Sequence, residues 1–344
     1  MGSRIRWWQR GKVYSAVERT VDQQFLFTPN HRRDQPLLRF DCPPDALDLG
    51  NDIIPRPSIV NIIGASVGRA LEKHPVRLHW LEGNINHLHS GFSVLGDDLG
   101  APSHFKQIAN SLIARGVNRN YDREGSVFGA RFRAEPSDDD PSAEQQLLYA
   151  LTNPVKDGLV EKVRQSPYFS CFEHLAAGEP LRFWYLDYTA YEKAGGDTKK
   201  GRKELRLKDF VRWTEFELEP LPSQESWSVE QRQTWIRKNV RAVEDACAEE
   251  RRDAGRRVIG VPALFATNPR SRPENPEKAG PQPLCHASTR EARERFAAKW
   301  RAFRREHRKA SIDYLAGDYE REFPEGSFRP PIATIYQASR LSTP

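Results

Sequence analysis

VRLHWLEGNINHLHSGFSV, residues 76–94, decides how this chain is read. Apolar and polar residues alternate through VRLHWLEG (76–83) and again through NHLHSGFSV (86–94), with only a few residues between them. Strict alternation is the signature of a half-buried strand, and two such runs so closely joined predict a β-hairpin. In a strand, side chains two residues apart share a face, so His87 and His89 project together. Two imidazoles on one face either hold a metal or are ordinary polar residues on a wet sheet. The pair alone does not decide.

Around the hairpin, 12–28 is β-branched and aromatic and predicts one or two opening strands, whereas 29–57 is rich in Pro, Asp and Arg and reads as a long excursion. SIVNIIGASVGRALEKH (58–74) and PSHFKQIANSLIARGVNRN (102–120) have helical period, and SVFGARFRAE (126–135) alternates as a strand. In DDDPSAEQQLLYALTNPV (138–155), Ser142 and Gln145 have capping-box spacing for a helix ending near Asn153–Pro154, and the Asp138–Asp140 cluster suits its positive end. The order β–α–β–β–α–β–α predicts an α+β fold, an antiparallel sheet with helices packed on it. Beyond residue 180 the texture changes to an aromatic run, a basic loop, a charged helix over 228–257 and a Pro-rich segment at 268–284. A boundary near 175 divides residues 1–175 from a mainly helical and irregular extension, 176–344.

The 344 residues suffice for one large domain or two, and 38% hydrophobic composition suits a protein with much polar surface. No apolar run approaches the length of a membrane span, and the N-terminus lacks a signal-peptide pattern, so the expectation is a cytoplasmic protein with no membrane partner. Cys42, Cys171, Cys247 and Cys285 form no C-x-x-C pair and predict reduced thiols. The adjacent Cys285 and His286 read as structural. Net charge is +6, and residues 290–309 alone hold nine Lys/Arg against three Glu. Phe296, Trp300 and Phe303 give that segment an apolar stripe at helical spacing, with Ser288 and Glu291 placed to cap it. Its other faces are either solvated or turned to DNA, and the one-sided excess favours DNA. GDTKKGRK (196–203) approaches a phosphate-binding loop but has Arg202 and Lys203 where Lys and Ser/Thr are required.

Tyr149 and Asn153 stand four residues apart, one above the other on a helix face. Taken alone, they are a half-buried aromatic and a residue placed before a proline. If that helix crosses the His89 strand, two imidazoles, an amide oxygen and a phenol converge.

This combination resembles a known family. NHLH (86–89) corresponds to the His–hydrophobic–His motif of the HUH single-tyrosine nucleases. YALTNPVKDGLV (149–160) is similar to the tyrosine motif of the transposases associated with REP repeats, and NRNYDREGSVFGARFR (118–133) to their linking segment. The resemblance covers roughly the first half of the chain. Asn84, Ile85 and Asn86 stand where the family has Met-Pro-Asn, and Ser126 where a His often follows the glycine; these departures concern substrate contacts rather than chemistry. The resemblance implies an HUH, ferredoxin-like sheet and a nuclease or strand transferase acting on single-stranded or hairpin DNA. It implies Tyr149 as nucleophile, forming a 5′-phosphotyrosine link and releasing a 3′ hydroxyl, and His87, His89 and Asn153 as ligands of Mg²⁺ or Mn²⁺. Such a cation offsets the charge that develops on the phosphoryl oxygens.

Arg115, Arg119, Arg131, Arg133 and Lys156 flank the site in sequence and are expected to contact DNA. Phe128 and Phe132 are either stacking surfaces for bases or core residues. The alternatives are a domesticated DNA-binding protein with little cleavage and a replication or plasmid-mobilisation nuclease. Oligomeric state stays open between monomer and homodimer.

Overall fold

A computed structural model describes residues 5–29, 57–196, 198, 200, 205–274 and 283–329. Cys42, most of the 29–57 excursion, most of 196–203 and part of 268–284 lie outside the described residues. The elements run β1 (Tyr14–Arg19), α1 (Ile59–Lys73), β2 (Arg77–Asn84), β3 (His87–Ser93), α2 (Ala101–Asn120), β4 (Arg133–Pro136), α3 (Asp140–Lys156), α4 (Phe172–Ala177), β5 (Leu181–Leu186), α5 (Tyr188–Lys193), β6 (Val211–Phe216), α6 (Val229–Asp253), α7 (Val261–Ala266) and α8 (Arg290–Leu315). The fold is α+β, with an antiparallel four-stranded sheet ordered β2-β3-β1-β4 and a separate β5-β6 pair.

β2 and β3 form the expected hairpin, with Asn84 opposite His87 across a two-residue turn. β1 lies along the other side of β3, setting Val17 opposite His89 and Arg19 opposite His87. The opening segment yields one strand only: Asp22 and Gln23 adopt positive φ (51° and 56°), which turns the chain out of the sheet. The strand expected over 126–135 is shorter, because Phe128 makes only an isolated bridge to Thr20 before β4 begins at Arg133.

The sheet buries both faces. Tyr14, Ala16, Leu88 and Phe92 join α1 and α2 in one core, with Phe105, Ala109, Ile113 and Val117 from α2. Trp80 and Val13 meet Leu147, Ala150 and Leu151 of α3 on the other. Side-chain alternation therefore divides β3: Leu88 faces α1 and α2, whereas His87 and His89 face α3.

Residues after 175 enter both cores, so the boundary expected there coincides with no break in packing. Leu181, Phe183 and Phe216 join the α1–α2 core, and Leu221, Ile236, Val240 and Leu264 the α3 core. The β5-β6 pair, absent from the expected helical and irregular extension, approaches α1 through Gly64 and Gly68. A Cβ on Gly64 would come within 2.5 Å of the Phe183 ring, and one on Gly68 within 2.5 Å of Thr214. Glycine thus serves close approach here, against its low helix propensity.

Helix starts differ from the sequence reading in detail. Asp139, not Ser142, caps α3, its carboxylate accepting the Ser142 N–H at 2.9 Å. Thr289, not Ser288, caps α8; Ser288 donates from its N–H and hydroxyl to Asp139 (2.9 and 2.8 Å), tying the two helix starts together. Phe296, Trp300 and Phe303 of α8 pack around Trp7 near the N-terminus. Among the described residues no helix is long and apolar enough to cross a membrane.

Candidate functional site

α3 continues through Pro154 to Lys156 rather than stopping before the proline. Pro154 forgoes one backbone donor yet keeps helical φ, so Asn153 remains in a regular turn directly after Tyr149. Gly158, at φ 68°, takes the left-handed turn that ends the segment, and its carbonyl and that of Leu159 accept the N–H groups of Ile259 and Gly260 at 2.9 Å. Leu159 and Val160 are buried beneath.

With α3 so held, the four residues come together. The His87 and His89 rings lie 4.8 Å apart at 79°, and the His89 and Tyr149 rings 5.7 Å apart at 81°. His87 Nε2 is 3.1 Å from Asn153 Oδ1. Both histidines and Asn153 are buried, whereas Tyr149 is 43% exposed. A phenol at the rim of a buried polar cluster is accessible to a macromolecular substrate.

The hydrogen bonds around His87 carry a conflict. Its Nδ1 lies 2.8 Å from Asn86 Oδ1, so both ring nitrogens face amide oxygens. The amides are oriented by other partners. Asn86 Nδ2 donates to the Gln23 carbonyl at 3.2 Å. Asn153 Oδ1 accepts from Asn84 Nδ2 at 2.6 Å. Asn84 is set in turn: its Oδ1 accepts the Ile85 N–H at 2.8 Å, and its Nδ2 also donates to the Asp157 carboxylate at 3.0 Å. A neutral imidazole offers one N–H and one lone pair, so one of the two contacts sets lone pair against lone pair. Protonation would relieve it, but burial, with the positive charge of Arg19, lowers His87 to about 4. Burial, then the charges of His87 and Arg19, holds His89 well below the ordinary histidine range. His89 Nε2 is buried with no hydrogen-bond partner.

Two neutral imidazoles with lone pairs to give, beside an oriented amide oxygen, form a donor set that fits a divalent cation such as Mn²⁺ or Mg²⁺. Among the described residues no cluster of three or more His, Cys, Asp or Glu side chains is arranged as a metal site; here the third donor is an amide.

Asp157 and Arg19 escaped the sequence reading, and Asn84 entered it only as a departure from the family's motif. The signals were present: Asn84 opposes His87 across the hairpin turn, and Asp157 follows Asn153 by one helical turn.

The expected DNA-contacting residues divide. Lys156 Nζ stands 5.1 Å from the centre of the Tyr149 ring. Arg133 is exposed and opposes Val17, which opposes His89, so it shares the sheet face of the histidines. Arg131 is exposed just before β4. Arg115 and Arg119 do not flank this site. They lie on α2, across the sheet, because the apolar face of α2 packs with α1 against the Leu88 side. Phe132 is core, stacked on Trp8 at 6.4 Å, and the Arg6 guanidinium lies 3.7 Å from the centre of its ring. Phe128 packs on Phe27 at 6.0 Å.

Glu82 faces α3 directly opposite His89 across the β2–β3 pair. Its carboxyl is buried and accepts from Ser170 Oγ (3.0 Å) and from the Cys171 N–H (2.8 Å) and Sγ (3.3 Å). Burial outweighs these bonds and raises it to about 8. Between the unfolded value of 4.5 and this one the native state binds the extra proton, so the contribution of the neutral acid is complete below 4.5 and is lost as pH rises through 8. Glu82→Gln removes the titration. Its stability relative to wild type is expected to rise by on the order of 2 kcal/mol between pH 6 and pH 8, by urea unfolding at both. The buried histidines are common to both proteins and cancel. A pH-independent difference counts against a buried proton at Glu82.

No family model matches the chain, and no curated protein matches it. Among solved structures, a REP-associated tyrosine transposase bound to a REP hairpin is similar at a TM-score of 0.34 and 17% identity, over 53% of this chain and 90% of that one.

Proposed function

We propose that the protein is a metal-dependent single-stranded DNA endonuclease and strand transferase that works through a covalent 5′-phosphotyrosine intermediate. One observation carries this reading: Tyr149, at the rim, meets two neutral histidines and an oriented Asn153 whose donor atoms conflict or go unpaired without a cation. A binding protein without cleavage has no use for that arrangement, because burying unpaired polar groups costs stability.

Tyr149 Oη attacks the phosphorus of a DNA phosphodiester. The Oη–P bond forms, the P–O3′ bond breaks, the phenol proton leaves to solvent, and the 3′ oxygen departs as a hydroxyl. His87, His89 and Asn153 would hold a divalent cation, which would supply positive charge beside the phosphoryl oxygens. Asn84 and Asp157 keep the Asn153 oxygen turned to the histidines, and Asn86 holds the His87 ring at Nδ1. Lys156 stands where its ammonium offsets charge on the phenol oxygen or the phosphate. Because the phosphotyrosine bond is itself a phosphodiester, a 3′ hydroxyl reverses the step without ATP.

The test is a 3′-labelled single-stranded hairpin oligonucleotide incubated with the protein and Mn²⁺, then run on a denaturing gel. A label that migrates with the protein is expected, since the tyrosine keeps the 3′ fragment; no labelled protein on the protein's own flanking DNA overturns the proposal.

A second prediction needs no DNA. Mn²⁺ at 100 times its dissociation constant is expected to stabilise the native state by about 2.7 kcal/mol, seen as a higher unfolding temperature. His89→Gln should abolish that gain. A gain surviving in His89→Gln removes His89 from the ligand set.

A further inference from the structure

Across the sheet from Tyr149, α1, α2 and residues 184–189 enclose a cleft of about 740 Å³, within the range of ligand clefts. Arg69 and Lys73 of α1 and Arg115 and Arg119 of α2 line it. Each pair is four residues apart, hence about 6 Å along its helix, and like charges at that spacing repel. Among the described residues the one acidic side chain lining the cleft, Asp187, is committed to capping α5, accepting the Ala190 N–H at 3.0 Å. Two rows of cations against one carboxylate suit a repeating anion.

The same cleft holds tyrosines. The Arg119 guanidinium lies 3.5 Å from the centre of the Tyr188 ring, and that of Arg69 lies 4.1 Å from Tyr185. At these distances the guanidinium groups make cation–π contacts with the rings. Cations beside aromatic rings are the combination that grips single-stranded nucleic acid: arginine meets phosphate, and unpaired bases stack on ring and guanidinium planes. Duplex DNA hides its base faces and would use only the charge.

We propose that this cleft is a second DNA-binding site, holding an unpaired stretch of strand through phosphate contacts to Arg69, Lys73, Arg115 and Arg119 and base stacking at Tyr185 and Tyr188. It rests on the reading that the chain acts on DNA, and it separates grip from chemistry: the cleft holds the strand on one face of the sheet while Tyr149 works on the other.

The test uses the full chain carrying Tyr149→Phe, so that binding is read without cleavage, and a fluorescent 20-nucleotide oligo-dT. Arg115→Gln with Arg119→Gln is expected to weaken binding about tenfold or more and to lower the slope of log affinity against log salt by about 1.4, two phosphate contacts at about 0.7 each. Tyr188→Ala should weaken binding at least about fivefold with the slope unchanged. Arg115→Lys with Arg119→Lys should restore the slope, which a folding defect would not. Affinity and slope unchanged in the double Gln variant overturn the cleft, as does equal loss of binding by Tyr188→Ala for oligo-dT and for a matched duplex. The two proposals fail separately. Covalent adduct from wild type with unchanged binding by the cleft variants overturns the cleft alone; loss of binding in those variants with no adduct from wild type overturns the tyrosine nuclease alone.

Discussion

Tyr149→Phe is expected to remove the covalent protein–DNA species, lowering its formation by on the order of 10³-fold or more, because the substitution deletes the one oxygen that can form the Oη–P bond. The effect should be confined to chemistry. Tyr149 is 43% exposed at the rim of the site, and surface substitutions of this kind usually change stability by less than about 0.5 kcal/mol. Phenylalanine also keeps the ring that stands edge-on to His89. Oligonucleotide binding and unfolding temperature should therefore match wild type, and Mn²⁺ should still stabilise the variant, since its donors are elsewhere. Adduct formation that survives in Tyr149→Phe would reassign the nucleophile. A wild-type protein that binds DNA and forms no covalent species would favour the domesticated DNA-binding alternative.

Lys106→Ala is expected to cost about 3–5 kcal/mol of stability. Lys106 Nζ lies 2.5 Å from Glu18 Oε1, with the two side chains 4% and 0% exposed. Lys106 also donates to Ser90 Oγ at 3.0 Å, so one ammonium ties α2 to β1 and β3. Removing it leaves a carboxylate buried without its partner, and Glu18 Oε2 has no hydrogen bond to begin with. The comparison that isolates this cause is Lys106→Met with Glu18→Leu: deleting both charges together should recover most of the loss, because the penalty belongs to the unpaired charge rather than to the missing bond. Urea unfolding of both variants measures it. A single variant within about 1 kcal/mol of wild type would show that water reaches the pair. The consequence for function is indirect and specific. Ser90 neighbours His89, and Glu18 sits between Val17 and Arg19, so this ion pair braces from behind the strands that carry the site.

The hairpin was legible in the sequence because alternation and a short turn are local properties of 76–94. Tyr149 and Asn153 were legible as neighbours because helical period places residues four apart on one face, whatever the helix packs against. The helix caps were misread by local competition: three aspartates and two serines lie within 137–142 at the start of α3, and which one accepts the first free N–H depends on where the chain enters. Pro154 was misread because a proline late in a helix forfeits one hydrogen bond without forcing an end.

Arg115 and Arg119 show the larger limit. They lie close to the tyrosine motif in sequence, yet the sheet stands between them and Tyr149, since α2 buries its apolar stripe on the Leu88 face and carries its arginines with it. No local pattern states which face of a sheet a helix will cover. Arg133 shows the reverse, joining the histidine face through the β1–β4 register. The partners of Asn153 and the Tyr185–Tyr188 wall of the cleft likewise came from elements brought together by packing.

The sequence by itself determined the α+β order, the strand that presents His87 and His89 together, and the helical turn that stacks Asn153 beside Tyr149, because each follows from backbone periodicity within one element. Only the tertiary structure decided that α3 lies over the His87–His89 face and α2 over the other. That choice was made by burial of apolar surface from distant segments, and it places the proposed nucleophile and the proposed strand-holding cleft on opposite sides of one sheet.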